Sequence, residues 1–224
     1  MMRAWENRAD CAVIDEPFYA CYLAESGANH PCREAVMQSQ PIHRSEVISG
    51  LVSDEPAPIY YQKHMTHHLL PHMAMDWLDG LTNAFLIRDP ARVLASYIEK
   101  RAEVTLEDLG LPQQQRLFEW AHQRTGEVPL VLESDDVLAN PEAMLRALCR
   151  RAGIAFDPAM LSWPAGRRDS DGLWAAHWYG AVEKSTGFMA PGEATRPVPA
   201  HLQDLLAAAQ PYYQALRPHR LVPD

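Results

Sequence analysis

Three stretches of the 224-residue chain carry side chains suited to acid–base or anion chemistry. The first is Asp15-Glu16-Pro17-Phe18, at the end of the apolar run Cys11–Asp15. Pro17 has no N–H with which to continue a strand, so Glu16 is expected at the strand's exit. There it serves either as a general base or as a turn carboxylate capping the helix that begins near Phe18. The second stretch runs from Ile59 to Lys63-His64 and on to Thr66-His67-His68. Lys63 offers a cation to anionic oxygens. The His64 imidazole, which ordinarily titrates near neutral pH, suits a general base and equally a structural histidine at a strand end. The third is Phe85-Leu86-Ile87-Arg88-Asp89-Pro90, running on through Ser96 and Tyr97. Arg88 ends an apolar run, Pro90 stands where a helix can start, and Ser96 lies two turns into that helix. A guanidinium fork with a hydroxyl can clamp one anion; the other reading is a helix-capping Arg88-Asp89 pair.

Elements that alternate along the chain must position these groups. The pattern predicts strands at 11–15, 59–64, 83–87 and 129–133. Helices are expected within 18–50 and over 66–74, 90–103, 112–125 and 141–152, with two more near 174–183 and 198–214. Strands alternating with helices imply a parallel sheet flanked on both sides, and Ala84–Ile87 reads as a strand buried on both faces. Strand ends at the carboxyl edge of such a sheet are where open α/β folds take ligands. Over a helix at 66–74, His67, His68 and His72 share turns, but no acidic ligand completes a zinc motif, so no metal is expected. They are better read as lining for an acceptor pocket, with the stretches 20–50 and 66–80.

The length suits one substantial core, so a single domain over 1–224 is expected, with 217–224 frayed. A formal net charge of −9 argues against nonspecific nucleic-acid binding, and an anionic nucleotide must then be met by a few placed arginines. There is no apolar run of membrane-spanning length and no secretory signal, which makes a cytoplasmic location the default. Cys11, Cys21, Cys32 and Cys149 form no close C-x-x-C pair and read as free thiols.

These residues resemble the sulfotransferase family. The strand-Arg-x-Pro-helix-Ser pattern of Arg88, Pro90 and Ser96 is similar to that family's 3′-phosphate-binding segment. Val128–Pro141 resembles its late strand, acidic turn and following helix. Gly166-Arg167-Arg168, with Gly172-Leu173-Trp174, is similar to its basic, Gly-Trp-containing loop. The resemblance implies a P-loop NTPase-like α/β fold, a parallel sheet flanked by helices. It also implies transfer of a sulfonate group from 3′-phosphoadenosine-5′-phosphosulfate (PAPS) to a hydroxyl of a small-molecule acceptor, with no metal. Arg88 and Ser96 would hold the nucleotide's 3′-phosphate, and Arg167 and Arg168 would add charge from the loop. Lys63 would approach the transferred group, and Glu16 or His64 would take the acceptor's proton. Family members carry Lys-x-His where this chain has Lys63-His64, a register shorter by one.

One part of the family pattern is expected upstream of the first residue. Met1–Arg8 reads as the helix that follows the 5′-phosphosulfate loop, and no Gly-rich phosphate loop occurs in the sequence. Either the start lies at an internal methionine of a longer chain, or the protein is a fragment without that site. Two other functions stay open at this point. One is a kinase-like phosphotransferase, which needs a Gly-Lys-Ser/Thr loop. The other is an inactive family member retained as a binding protein. Oligomeric state and acceptor identity are open as well.

Overall fold

The structure, a computed structural model, describes residues 1–53, 56–99, 101, 103–190 and 197–223. The chain divides into two compact units. The first comprises Met1–Trp77 and Asp157–Phe188, the second Leu78–Phe156 and Met189–Asp224.

The first unit is organised on two parallel strands, β1 (Cys11–Asp15) and β2 (Ile59–Lys63), which pair from Cys11 with Ile59 to Asp15 with Lys63. The pairing runs one residue further, with the Glu16 N–H donating to the Lys63 carbonyl at 2.8 Å, and then Pro17 ends it. Helix Met2–Glu6 lies against the pair through Trp5, whose ring stacks on Tyr61 at 5.3 Å between centroids. Helices Tyr19–Ser26 and Arg33–Ser39 close a core of Tyr19, Ala20, Leu23, Val36 and Trp174. Gly172 must be glycine for that core to form, because a Cβ there would come within 2.2 Å of the Trp174 ring.

The expected helix over 66–74 is instead a single 3₁₀ turn, Thr66–His68. Pro71 supplies no N–H and biases Leu70 away from helical angles, so the turn cannot propagate. The three histidines therefore share no helical face. His68 is buried, stacked on Tyr19 at 4.5 Å and Tyr22 at 4.9 Å. The exposed ring of His72 meets Arg44 at 2.7 Å and Glu25 at 3.2 Å.

The second unit holds the other parallel pair, β3 (Ala84–Ile87) and β4 (Leu130–Glu133), paired from Ala84 with Leu130 to Ile87 with Glu133. β3 is not buried on both faces. Phe85 and Ile87 are inside, but Leu86 is 47% exposed. Helix Leu111–Thr125 covers one face, with Phe118 edge-on to Phe85 at 5.7 Å, and the described sheet has only two strands. A run of four apolar residues cannot distinguish that case from a sandwiched strand. Asp89 caps helix Pro90–Tyr97, its carboxylate accepting from the Ala91 N–H at 2.8 Å. The helix expected over 90–103 ends at Tyr97, and residues 100 and 102 lie outside the described residues. Residues expected to fray are tied down: the Leu221 N–H donates to the Val131 carbonyl at 2.7 Å, and Arg220 pairs with Asp136 at 3.2 Å.

The α/β class and the parallel pairing agree with the sequence reading. Among the described residues no helix is long and apolar enough to cross a membrane.

Candidate active site

In the first unit, strand register decides which side chains meet. Asp15 and Lys63 are the last paired residues of two parallel strands, so both leave the sheet at its carboxyl edge, with Glu16 one step beyond. The Lys63 ammonium donates to Asp15 Oδ1 at 2.9 Å, to Glu16 Oε1 at 2.5 Å and to the Tyr179 hydroxyl at 2.6 Å. Tyr179 in turn donates to Asp15 Oδ2 at 2.7 Å. All three donors of the ammonium are therefore used, and one cation is shared by two carboxylates that are nearly excluded from solvent.

Burial alone would push the Lys63 pKa down, but Glu16 and Asp15 together outweigh it and hold the pKa well above the ordinary lysine value. Glu16 moves the other way from a typical ion-paired carboxylate. Burial raises its pKa despite Lys63, aided by the like charge of Asp15. A carboxylate with a raised pKa is a stronger proton acceptor, which suits base chemistry. Glu16 also adopts φ +45°, a left-handed conformation rarely taken by residues other than glycine, asparagine or aspartate. That backbone is held from both sides: its N–H by Lys63, and its carbonyl by the Tyr19 N–H at 3.0 Å and Gln40 Nε2 at 3.2 Å.

His64 follows Lys63 but turns away from this cluster, lying near Phe18 and Trp77 with Gln62 Oε1 at 3.3 Å. Burial and the neighbouring Lys63 charge lower its pKa to about 4, so it does not titrate near neutrality as its residue type suggests. His68 is likewise held neutral, first by burial and then by the neighbouring His67 and the Lys63 charge. Both folded values lie below the unfolded imidazole value of roughly 6.5. Their contribution to stability is therefore complete above that pH and is lost as pH falls toward 4. Urea midpoints are expected to be flat from pH 8 to 7 and to drop steadily from 6.5 to 4. His68→Phe, which keeps the stacking and removes the titration, should shrink that drop; an unchanged slope would rule His68 out as its source.

In the second unit Arg88 leaves the carboxyl end of β3, next in line after the Ile87–Glu133 pair. Its Nε is buried and has no hydrogen-bond partner among the described residues. Asp89 is engaged as the helix cap, and Ser96 is exposed in the last turn of that helix. Arg167 and Arg168 belong to the first unit. Arg167 is exposed, while the Arg168 guanidinium rests on the Pro164 carbonyl at 3.2 Å.

Sequence reasoning found Glu16 and Lys63, but not Asp15 as the ammonium's second partner nor Tyr179 as its third. Tyr179 reads by residue type as an aromatic packing against the core. Only its position next to a family-like loop sets it apart in the sequence.

Comparison with known proteins covers nearly the whole chain. A family model described as "Sulfotransferase domain" matches residues 1–220. Two Arabidopsis thaliana proteins, branched-chain-amino-acid aminotransferase-like proteins 1 and 2, are 32% and 31% identical over 220 residues. Those matches cover 98% of this chain and 39% of each relative, so the chain spans about two fifths of the curated relatives it matches. Among solved structures, the sulfotransferase domain from the curacin biosynthetic pathway is similar at 13% identity with a TM-score of 0.44, over 86% of this chain and 77% of that one.

Proposed function

Because the chain belongs to the sulfotransferase domain family, we propose that it transfers a sulfonate group from PAPS to a hydroxyl of a small-molecule acceptor. The observation that carries this reading is the Asp15–Glu16–Lys63–Tyr179 cluster at the carboxyl edge of β1 and β2. PAPS supplies the activated sulfonate. In-line displacement of that group needs a base for the acceptor proton and a cation for the charge that develops on the oxygens.

Glu16 is the base. Its raised pKa and its fixed backbone favour taking a proton from a hydroxyl placed at the sheet edge. Lys63 is the cation, and Asp15 and Tyr179 orient it. Proton uptake by Glu16 cancels one of the two charges restraining the ammonium, which leaves Lys63 freer to meet the sulfonate oxygens. Arg88 fits the 3′-phosphate because its Nε lacks a protein partner. Ser96 in the second unit is a further candidate for the nucleotide, Arg167 and Arg168 are the candidate cations of the first unit, and His64 is the less suited base because its imidazolium is so disfavoured. A cytoplasmic location fits the use of PAPS and free thiols. The match to a sulfotransferase domain model favours sulfonate transfer over the kinase-like alternative.

The test is thermal and denaturant stability with 3′-phosphoadenosine-5′-phosphate, the product nucleotide. A ligand that binds only the folded state adds about 2.7 kcal/mol at a hundredfold excess over its dissociation constant. The wild type is expected to gain stability and Arg88→Ala to gain little. A folded wild type with no gain would overturn the nucleotide assignment and favour the inactive binding-protein reading.

A further inference from the structure

A residue with a Cβ keeps left-handed backbone only where its surroundings fix it, and Glu16, at φ +45°, is such a residue. Its N–H is bound to the Lys63 carbonyl in the strand pair. Its carbonyl accepts twice, from the Tyr19 N–H at 3.0 Å and from Gln40 Nε2 at 3.2 Å. The first is a local turn bond. The second comes from 24 residues further along the chain and ties the turn to a different helix.

The other end of the same amide is engaged as well. Helix Tyr19–Ser26 begins without a side-chain cap, so its first N–H groups need acceptors from elsewhere. Gln40 Oε1 accepts from the Ala20 N–H at 3.2 Å. One partner is a carbonyl and the other an N–H, so a single orientation of the amide satisfies both. Gln40 thus joins the exit of β1 to the start of the helix that follows it. Its own backbone is set by Pro41, which favours an extended residue before it. Gln40 accordingly leaves helix Arg33–Ser39 at φ −134° and ψ 156°. Beside it the Cys21 thiol donates to the Pro41 carbonyl at 3.4 Å, and Ala20, Leu23 and Val36 pack the two helices together.

We infer that Gln40 is a positioning residue for the reaction: it acts through Glu16, holding the left-handed turn so that the carboxylate stays aimed at the Lys63 ammonium and the sheet edge. The inference rests on the sulfonate-transfer reading above, in which Glu16 is the base. Lys63 restrains Glu16 at its carboxylate, and Gln40 restrains it at its carbonyl. Without the second restraint the turn can relax toward ordinary φ, and rotation about that bond swings the whole side chain. A misplacement of about 1 Å can cost about 10²-fold in rate.

Two substitutions in the full chain separate holding the turn from capping the helix. Gln40→Met fills the space and removes both bonds. Gln40→Glu keeps an acceptor for the Ala20 N–H, at a helix start where negative charge is favoured, but its carboxylate has no hydrogen to give the Glu16 carbonyl. Hydrogen exchange of the Glu16 N–H reads the turn without any ligand. Both variants should speed that exchange about tenfold. The Ile59 N–H, bonded to the Asp10 carbonyl at the far end of the strand pair, should be unaffected. Urea midpoints should fall for Gln40→Met and hold for Gln40→Glu. Turnover is followed as product nucleotide formed from PAPS, with glycerol in excess as the hydroxyl probe. Both variants should lose about tenfold to a hundredfold in kcat, with stabilisation by the product nucleotide unchanged. In a Glu16→Gln background the same substitutions should cost almost nothing more, because the group they position is gone. An equal further loss there would mean a general structural role and overturn the proposal. Unchanged Glu16 exchange in a folded Gln40→Met chain would overturn it as well. If exchange quickens while the folded wild type forms no product nucleotide, the sulfonate-transfer reading falls and the clamp on the turn stands.

Discussion

Lys63→Met is expected to lower unfolding free energy by about 3 kcal/mol, because it strands two carboxylates that share one ammonium in a largely dry site. The methionine fills most of the lysine's volume, so the loss is electrostatic rather than a cavity effect. Asp15 and Glu16 then face each other with only the Tyr179 hydroxyl between them. Glu16, already raised by burial, responds by binding a proton. Two further measurements make the cause specific. The Lys63 pKa lies above its unfolded value, so its contribution is complete below about pH 10.4 and is lost only as pH rises through the folded value. The variant should therefore lose the part of the wild type's alkaline decline that Lys63 contributes, and keep the part due to buried phenols such as Tyr61, whose pKa burial raises to about 12. Adding Glu16→Gln to Lys63→Met should restore part of the lost stability, since one stranded charge is gone. A loss under about 1 kcal/mol in urea unfolding would mean that the cluster behaves as a solvated surface pair.

Glu16→Gln is the other large effect, and it falls on turnover. Removing a positioned general base typically costs 10²- to 10⁴-fold in rate. A loss in that range is expected in sulfonate transfer to an accepted alcohol, with product-nucleotide binding unchanged. Glutamine keeps the side-chain length and the backbone restraints on the φ +45° residue, so the fold should persist. His64→Gln provides the contrast. Burial holds His64 neutral near pH 7 and makes its protonated form costly, so a much smaller rate loss is expected there. If the two variants exchange behaviour, the base is His64, and the raised Glu16 pKa reflects only a buried ion pair.

Several features were legible in the chain because they depend on neighbours in sequence. Apolar runs bounded by Pro and charged residues gave the strand positions, and the parallel α/β class followed from their alternation with helices. Asp89-Pro90 marked a capped helix start, and Glu16-Pro17 marked a strand exit. Misreadings came where one local pattern fits two environments. Ala84–Ile87 is equally apolar whether one or two faces are covered, and exposed Leu86 shows which applies. The spacing of His67, His68 and His72 suits a helix that Pro71 prevents.

Residue chemistry alone thus determined that this protein keeps a carboxylate, a lysine and an arginine at strand ends, the places where an α/β fold meets its ligands. What the lysine touches was decided only in three dimensions. The β1–β2 register sets Lys63 beside Asp15, and the short helix Ala175–Trp178 brings Tyr179, its C-terminal cap, across 116 residues of sequence to the same ammonium. Register and loop closure are set by long-range packing, in which each contact depends on all the others. No window of sequence contains them, and the pKa shifts that separate Glu16 from His64 arise from that packing.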